Sequence, residues 1–493
     1  MADAVQPTRV TLIPGDGVGP EVVRSARRII EAAGVPIEWE EAQAGAEVFR
    51  RGDSSGVPRE TQESIARTRV VLKGPLETPV GFGEKSANVT LRKQFETYAN
   101  VRPARELPGV PTRYRGEGVD FVVVRENVED LYAGIEHMQS PTVAQALKVI
   151  SRKGSEKVIR YAFELARREG RTMVTCASKA NILKLTEGLF KRVFEEMAPD
   201  YPEIEAQHLI VDNVAHQMAK DPAQFDVLVM TNMNGDILSD LASGLVGGLG
   251  FACSGNYGDD VAIFEAVHGS APKYAGKDVI NPTALILSSV LMLRHIGHDD
   301  AADTIEDAVL ATLESGQAVT QDLARQTGDV EHTTSTSGFT DAIIANLGQT
   351  ASSGSVRARR RAAPLEAVEA RSTARGRAGA AASVERRQDG VDVMIESDLP
   401  VEELGQSLEA LAGDRLRLAF ISSRGTKVYP SAGLEVDHVD WYRARFRAAE
   451  GGELEEQDLV ALLGRIAERH RWTQLERLQS FDGEAGYTTA AGQ

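Results

Sequence analysis

Short, largely apolar runs recur through the first half of this chain, and four of the six end on, or directly before, a charged residue. The runs are RVTLIP (residues 9–14), VVLK (70–73), FVVVR (121–125), MVTCAS (173–178), LIV (209–211) and VLVM (227–230). Between them lie stretches with helical periodicity, such as 157–169 and 184–197. A strand that is apolar at every position is buried on both faces, and its alternation with helices marks an α/β architecture with a largely parallel sheet. Such sheets hold ligands beyond the carboxyl ends of their strands. The residues standing there are Lys73, Arg125, Lys179, Asp212 and, past the last run, the pair Asp236 and Asp240.

The stretch MTNMNGDILSDLASGLVGGLGF (230–251) predicts a strand end, a turn through Asn234-Gly235, and a helix with both acids on one face of its first turn. Two carboxylates four residues apart suit a hard divalent cation. Taken alone the pattern favours a helix cap and a solvated acid, and the apolar, glycine-interrupted run from Leu241 to Phe251 shifts it towards a metal site. The early GDGVG, followed by Pro20, lacks the glycine spacing of a dinucleotide fingerprint and predicts a tight strand-to-helix turn. Arg125 ends a buried strand, a position suited to gripping a carboxylate, and Arg92 and Arg102 punctuate the segments before it. Tyr132 is a candidate proton donor or a half-buried core tyrosine. Lys179 is a candidate base or an exposed lysine. In HGSAPKYAG, Gly269, Ser270 and Ala271 allow close backbone approach to a phosphate or adenosine, beside Lys273 and Tyr274. His268 is open to a structural reading.

With 493 residues the chain has room for two or three cores. Its net charge of −17 argues against nucleic-acid and anionic-membrane partners, so an anionic substrate needs a local nest of arginines. Two cysteines give neither a disulfide framework nor metal-ligand spacing, and the start shows no signal-peptide pattern, so a cytoplasmic location is expected. The apolar stretch 284–296 is too short to span a bilayer and predicts a buried helix. Residues 349–390, rich in Ala, Arg, Ser and Gly, predict a flexible linker, and 391–493 a separate α+β unit of split-βαβ type concerned with assembly or stability.

Taken in order, IPGDGVGPE, KGPLETPVG, SANVTLRK, YANVRP, RENVEDLYAGIEH, SKANILKLTEG, MNGDILSD and HGSAPKYAGKDVINPTA resemble segments of the β-decarboxylating dehydrogenases, and among them the isocitrate dehydrogenases, over residues 8–348. The layout, with its extension past a linker, looks like the long bacterial form. The resemblance implies a non-Rossmann isocitrate/isopropylmalate dehydrogenase-like fold. A large cofactor domain would comprise 1–100 and 256–348, and a small domain, 101–255, would carry the dimer interface and metal site. It implies oxidative decarboxylation of isocitrate to 2-oxoglutarate and CO₂ in the tricarboxylic acid cycle, by a homodimer with shared sites. Ser86, Asn88, Arg92, Arg102, Arg125 and Tyr132 would contact isocitrate. Tyr132, Lys179 and Asp212 would be catalytic, and Asp236, Asp240 and the partner's Asp212 would bind Mg²⁺ or Mn²⁺. Thr78, His268, Gly269, Ser270, Ala271, Lys273, Tyr274, Asn281 and Arg325 would hold the cofactor.

Lys273-Tyr274 and Arg325 match the NADP pattern, while Gln321 departs from a tyrosine found in one form and leaves NAD use open. Isopropylmalate relatives carry two leucines and an acid where this chain has Asn88, Val89 and Lys85, which disfavours an isopropyl pocket. Homoisocitrate or 3-isopropylmalate remains the alternative substrate. A non-catalytic regulatory subunit is the alternative role, but it would be expected to lack arginines, the tyrosine or a metal acid, and none is missing.

Overall fold

The computed structural model describes residues 7–77, 86–352, 384–430, 436–449 and 454–489. The described residues of Met1–Tyr132, Val149–Asn181 and Thr186–Val368 form one compact unit, and those of Ala133–Lys148, Ile182–Leu185 and Glu369–Gln493 a second. Thr78, Lys85 and most of the expected linker lie outside the described residues.

In chain order the strands are β1 (Thr8–Ile13), β2 (Ile37–Glu41), β3 (Val70–Lys73), β4 (Ala99–Arg105), β5 (Asp120–Glu126), β6 (Glu136–Ser140), β7 (Val143–Ala146), β8 (Met173–Ser178), β9 (Glu205–Ile210), β10 (Val227–Met230), β11 (Cys253–Tyr257) and β12 (Ala262–Ala266). Ten of them form the sheet of the first unit, in the order β2-β1-β3-β12-β11-β4-β5-β10-β8-β9. The expectation of a largely parallel sheet needs a correction at its centre. The flanks are parallel, but β12–β11, β11–β4 and β4–β5 pair antiparallel. Only residues 258–261 separate β11 from β12, too few for a parallel crossover. The two parallel flanks therefore run in opposite directions, and their carboxyl ends do not share one edge. The Thr283–His295 helix is buried over most of its surface, as its apolar composition predicts, and packs on β11 and β12.

The hairpin β6–β7 belongs to the second unit. That unit's sheet comprises β13 (Arg386–Glu396), β14 (Leu416–Ser423), β15 (Thr426–Tyr429), β16 (Trp441–Ala448), β17 (Arg471–Phe481) and β18 (Glu484–Ala485), in the order β15-β14-β16-β13-β17-β18. All its pairings are antiparallel. Helices Val401–Leu411 and Glu456–Ala467 bury Leu404, Leu408, Leu459, Leu462 and Ile466 against Val391, Val393 and Ile395. Strand β16 lies between β14 and β13, and β13 between β16 and β17, so two split βαβ units interleave. On β16, buried Arg445 forks onto Asp392, with Nε and Nη2 each 2.7 Å from a carboxylate oxygen. Strand β13 begins at Arg386, ahead of the expected 391, because its polar start pairs with β17 alone.

Candidate active site

Side chains level with one another on neighbouring strands share a face of the sheet, and the register of the antiparallel centre aligns a polar row. Lys73 pairs with Glu265, Glu265 with Ser254, and Gly255 with Val101, which brings Ser254 level with Arg102. Two residues along, Asn256 pairs with Asn100 and Asn100 with Arg125. Glu265 forms an ion pair with buried Lys73, accepts from Arg92 Nη2 at 3.0 Å, and accepts from Asn256 Nδ2 at 2.8 Å. Burial alone would raise its carboxyl, but Lys73 and Arg92 overturn that and hold it well below the usual range. Burial lowers the Lys73 ammonium, against the pull of Glu265. Neither Glu265 nor Asn256 is singled out by sequence reasoning. The available signal is a lone acid inside the buried strand AIFEA, which needs a partner.

The helix bearing the two acids spans Asn232–Leu245, so Asn234-Gly235 lies within it, and Asp236 and Asp240 fall in its second and third turns. This corrects the expected turn and first-turn placement. Gly235 has a packing reason rather than a turning one: an added Cβ would lie 2.5 Å from Arg125 Cγ. Arg125 passes beneath, its Nε and Nη2 donating to Asn232 Oδ1 at 3.0 and 2.8 Å, while Nη1 pairs with Asp236. Its guanidinium lies 5.0 Å from the centre of the Tyr132 ring, and the Tyr132 hydroxyl donates to Asp236. Arg102 Nη1 donates to Ser239 Oγ at 2.6 Å and lies 3.6 Å from Asp236 and 3.4 Å from Asp240.

Charge is crowded at this point. Burial, then Arg102 and Arg92, lower Arg125 to about 9. Burial pushes Asp236 up, yet Arg125, the Tyr132 hydrogen bond and the other arginines leave it lowered. Burial raises Asp240 despite Arg102. Burial and then Asp236 raise the Tyr132 phenol, which keeps its proton in place.

Asn88, Arg92, Arg102, Ser254, Glu265 and His268 line a pocket enclosing about 380 Å³ that opens to solvent. Among the described residues, four buried polar atoms on its walls have no hydrogen-bond partner: Asn88 Oδ1, Arg92 Nε, Arg102 Nε and His268 Nε2. Buried polar atoms left so are costly; the two arginine Nε–H donors suit carboxylates, and the Asn88 amide oxygen, an acceptor, suits a hydroxyl. Ser86 is the N-cap of the Ala87–Gln94 helix that presents Asn88 and Arg92.

Asp212 is the second residue of the Val211–Lys220 helix, not the end of a strand as the apolar LIV run suggested; strand β9 stops at Ile210. Lys179 Nζ donates to Asp212 Oδ1 at 2.5 Å. That hydrogen bond lowers the Asp212 carboxyl. Neither residue joins Asp236 or Asp240 in an ion pair. Among the described residues no cluster of three potential metal-ligating His, Cys, Asp or Glu side chains exists. One chain thus gathers two of the three expected metal acids. Asp236, half-buried, and Asp240, exposed, offer adjacent hard oxygens that fit a divalent cation, with coordination positions left for substrate, water or a further acid.

On the other side of the pocket, the Val18 N–H donates to the Ser270 carbonyl at 2.9 Å, and a Cβ on Gly17 would lie 1.9 Å from that oxygen. Asp16 accepts from the Glu77 and Ala46 N–H groups. The GDGVG turn is therefore a bracket between loops and not a phosphate cradle. His268 and Gly269 face the pocket; Ala271 takes a left-handed φ of 41° ahead of the exposed Lys273 and Tyr274. Buried Asn281 donates to Asp322 Oδ2 at 3.0 Å, and exposed Arg325 lies one turn beyond Asp322 on the Gln321–Thr327 helix.

The profile described as "Isocitrate/isopropylmalate dehydrogenase" matches residues 9–343, and that of "Bacterial isocitrate dehydrogenase, C-terminal domain" matches 386–493. "Isocitrate dehydrogenase [NADP]" of Thermus thermophilus is 58% identical over 488 residues, 98% of this chain and 96% of its own. The chloroplastic 3-isopropylmalate dehydrogenase of Solanum tuberosum is 50% identical over 310 residues, 63% of this chain and 86% of its own. The crystal structure of the TT0538 protein from Thermus thermophilus superposes with a TM-score of 0.91 at 58% identity, over 98% of this chain and 96% of that one.

Proposed function

This chain belongs to the isocitrate/isopropylmalate dehydrogenase family, and from that premise we propose that it oxidises and decarboxylates isocitrate to 2-oxoglutarate and CO₂ with NADP. The observation that carries the reading is the set of partnerless polar atoms on Asn88, Arg92 and Arg102 beside a third arginine, Arg125. Isocitrate can satisfy this set, its carboxylates accepting from the arginine Nε–H groups and its hydroxyl donating to the Asn88 amide oxygen, and a protein of net charge −17 would otherwise repel a tricarboxylate. The near full-length match to an NADP enzyme and the C-terminal profile, which is specific to bacterial isocitrate dehydrogenases, favour isocitrate over 3-isopropylmalate.

In this reading Arg92, Arg102 and Arg125 bind the substrate carboxylates, and Ser86 and Asn88 orient them. Asp236 and Asp240, with Asp212 of the partner subunit, would hold Mg²⁺ or Mn²⁺, which supplies Lewis acidity at the C2 oxygen. NADP supplies the hydride acceptor. The Lys179–Asp212 pair takes the hydroxyl proton from C2. Tyr132 returns a proton to the carbon from which CO₂ has left. Thr78, residues 268–271 and Asn281 would hold the cofactor, and Lys273, Tyr274 and Arg325 would bind its 2′-phosphate. The reversal of strand direction at β11 and β4 supports a division into a cofactor lobe (1–100 and 256–348) and a small lobe (101–255). That Lys179 and Asp212 pair with each other, while Asp236 and Asp240 pair with arginines, supports a homodimer with shared sites. Among the described residues no helix is long and apolar enough to cross a membrane, which accords with a cytoplasmic role in the tricarboxylic acid cycle.

The test is NADPH formation by purified protein with Mg²⁺ and either acid. Turnover of isocitrate with evolution of CO₂ is expected. Turnover of 3-isopropylmalate alone would overturn the substrate assignment.

A further inference from the structure

Glu187 is completely buried and takes no part in the chemistry above. It lies in the first turn of the Thr186–Met197 helix, and its two oxygens face different elements. Oε2 accepts the backbone N–H of Lys179 at 3.1 Å, and Oε1 accepts the hydroxyl of Thr231 at 3.0 Å. Asn234 Nδ2 sits 3.4 and 3.5 Å from the two oxygens and donates to Thr231 Oγ1 at 3.1 Å. Thr231 is the N-cap of the helix that carries Asp236 and Asp240, yet its hydroxyl makes no capping bond to that helix. It points to Glu187 instead. A carboxylate out of water persists only where its oxygens are satisfied, and the positive end of a helix favours an anion.

The geometry points to Glu187 as a positioning residue that fixes the backbone of Lys179 against the start of the metal-acid helix. This rests on the isocitrate reading with shared sites. Under it, Lys179 serves the partner's site and Asp236 and Asp240 their own. Glu187 then ties the proton relay of one site to the metal helix of the other. A rigid link suits this place because Lys179 and the metal-acid helix follow directly on the ends of the neighbouring strands β8 and β10, and the supporting groups behind metal ligands set their orientation.

Glu187→Gln keeps the volume but turns one acceptor into a donor facing donors. We expect kcat per folded dimer to fall about 10- to 100-fold, the scale of losing a group behind a metal ligand. The KM for isocitrate should move by no more than about twofold, because the arginines are untouched. Thr231→Val, close to isosteric, removes one donor and should lower kcat in the same direction. The double variant should lose no more than Glu187→Gln alone, as expected for partners in one interaction. A lower melting temperature with unchanged kcat per folded dimer, or additive losses in the double variant, overturns the assignment. If Glu187→Gln fails to fold, Thr231→Val decides it, and unchanged kcat there overturns it. Loss of the function reading is distinguishable, since the unaltered protein would then fail to turn over isocitrate.

Discussion

Gly235→Ala separates the packing account of the metal-acid helix from a propensity account. In an ordinary helix the change stabilises by about 1 kcal/mol. Here the added Cβ would lie 2.5 Å from Arg125 Cγ, 2.6 Å from its Cβ and 3.2 Å from its Cα, so the obstacle is the root of the side chain and not a flexible tip. Overpacking of this kind costs about 1–3 kcal/mol, so the net effect is a loss of up to about 2 kcal/mol. Arg125 must also leave Asn232 and Asp236 and cannot grip substrate. A hydrogen bond to a charged group contributes about 1.5–3 kcal/mol, which corresponds to a loss of roughly 10- to 150-fold in kcat/KM for isocitrate. Steady-state kinetics with isocitrate and NADP varied in turn, together with thermal unfolding, read both effects. The KM for NADP should stay unchanged. A variant that melts higher and keeps its kcat/KM would refute the reasoning.

Asp236→Asn should leave a folded protein and raise the barrier by at least about 3 kcal/mol, the scale of removing electrostatic stabilisation where charge develops; near-normal turnover would count against the metal assignment. Tyr132→Phe should lower kcat about 10²- to 10⁴-fold with little change in KM, the range for a lost general acid, and unchanged kcat would remove its role. Arg445→Met leaves buried Asp392 with only Arg443, 3.9 Å away, and should destabilise the second unit by up to about 3 kcal/mol, whereas replacing both Arg445 and Asp392 with apolar residues should recover most of the loss.

Three strands buried on both faces were legible to the residue: VVLK, MVTCAS and VLVM are β3, β8 and β10. Continuous apolar runs have no competing period there. The edge strand β9 was not legible, because half of EAQHLI is polar and its apolar end leads straight into a helix. That misplacement put Asp212 at a strand end. The Asn234-Gly235 pair carries local turn chemistry, and only contact with Arg125, far away in sequence, explains its helical state. The reversed centre of the sheet was hidden for a similar reason, since it depends on how β4, β11 and β12 meet. Arg125, Asp236 and Asp240 stood out by their chemistry and place in the pattern, Arg92 and Arg102 only through the family resemblance, and the structure gathers all five. Glu265, Asn256 and Glu187 act through partners that no local spacing announces.

The most direct test mixes two inactive variants, Lys179→Met and Asp236→Asn, by unfolding and refolding them together. Each alone should turn over isocitrate hardly at all. A shared site predicts that mixed dimers carry one intact site, so an equal mixture should regain about a quarter of the unaltered activity with isocitrate and NADP. A mixture that stays as inactive as its parts, in dimers shown to have exchanged subunits, would contradict the account.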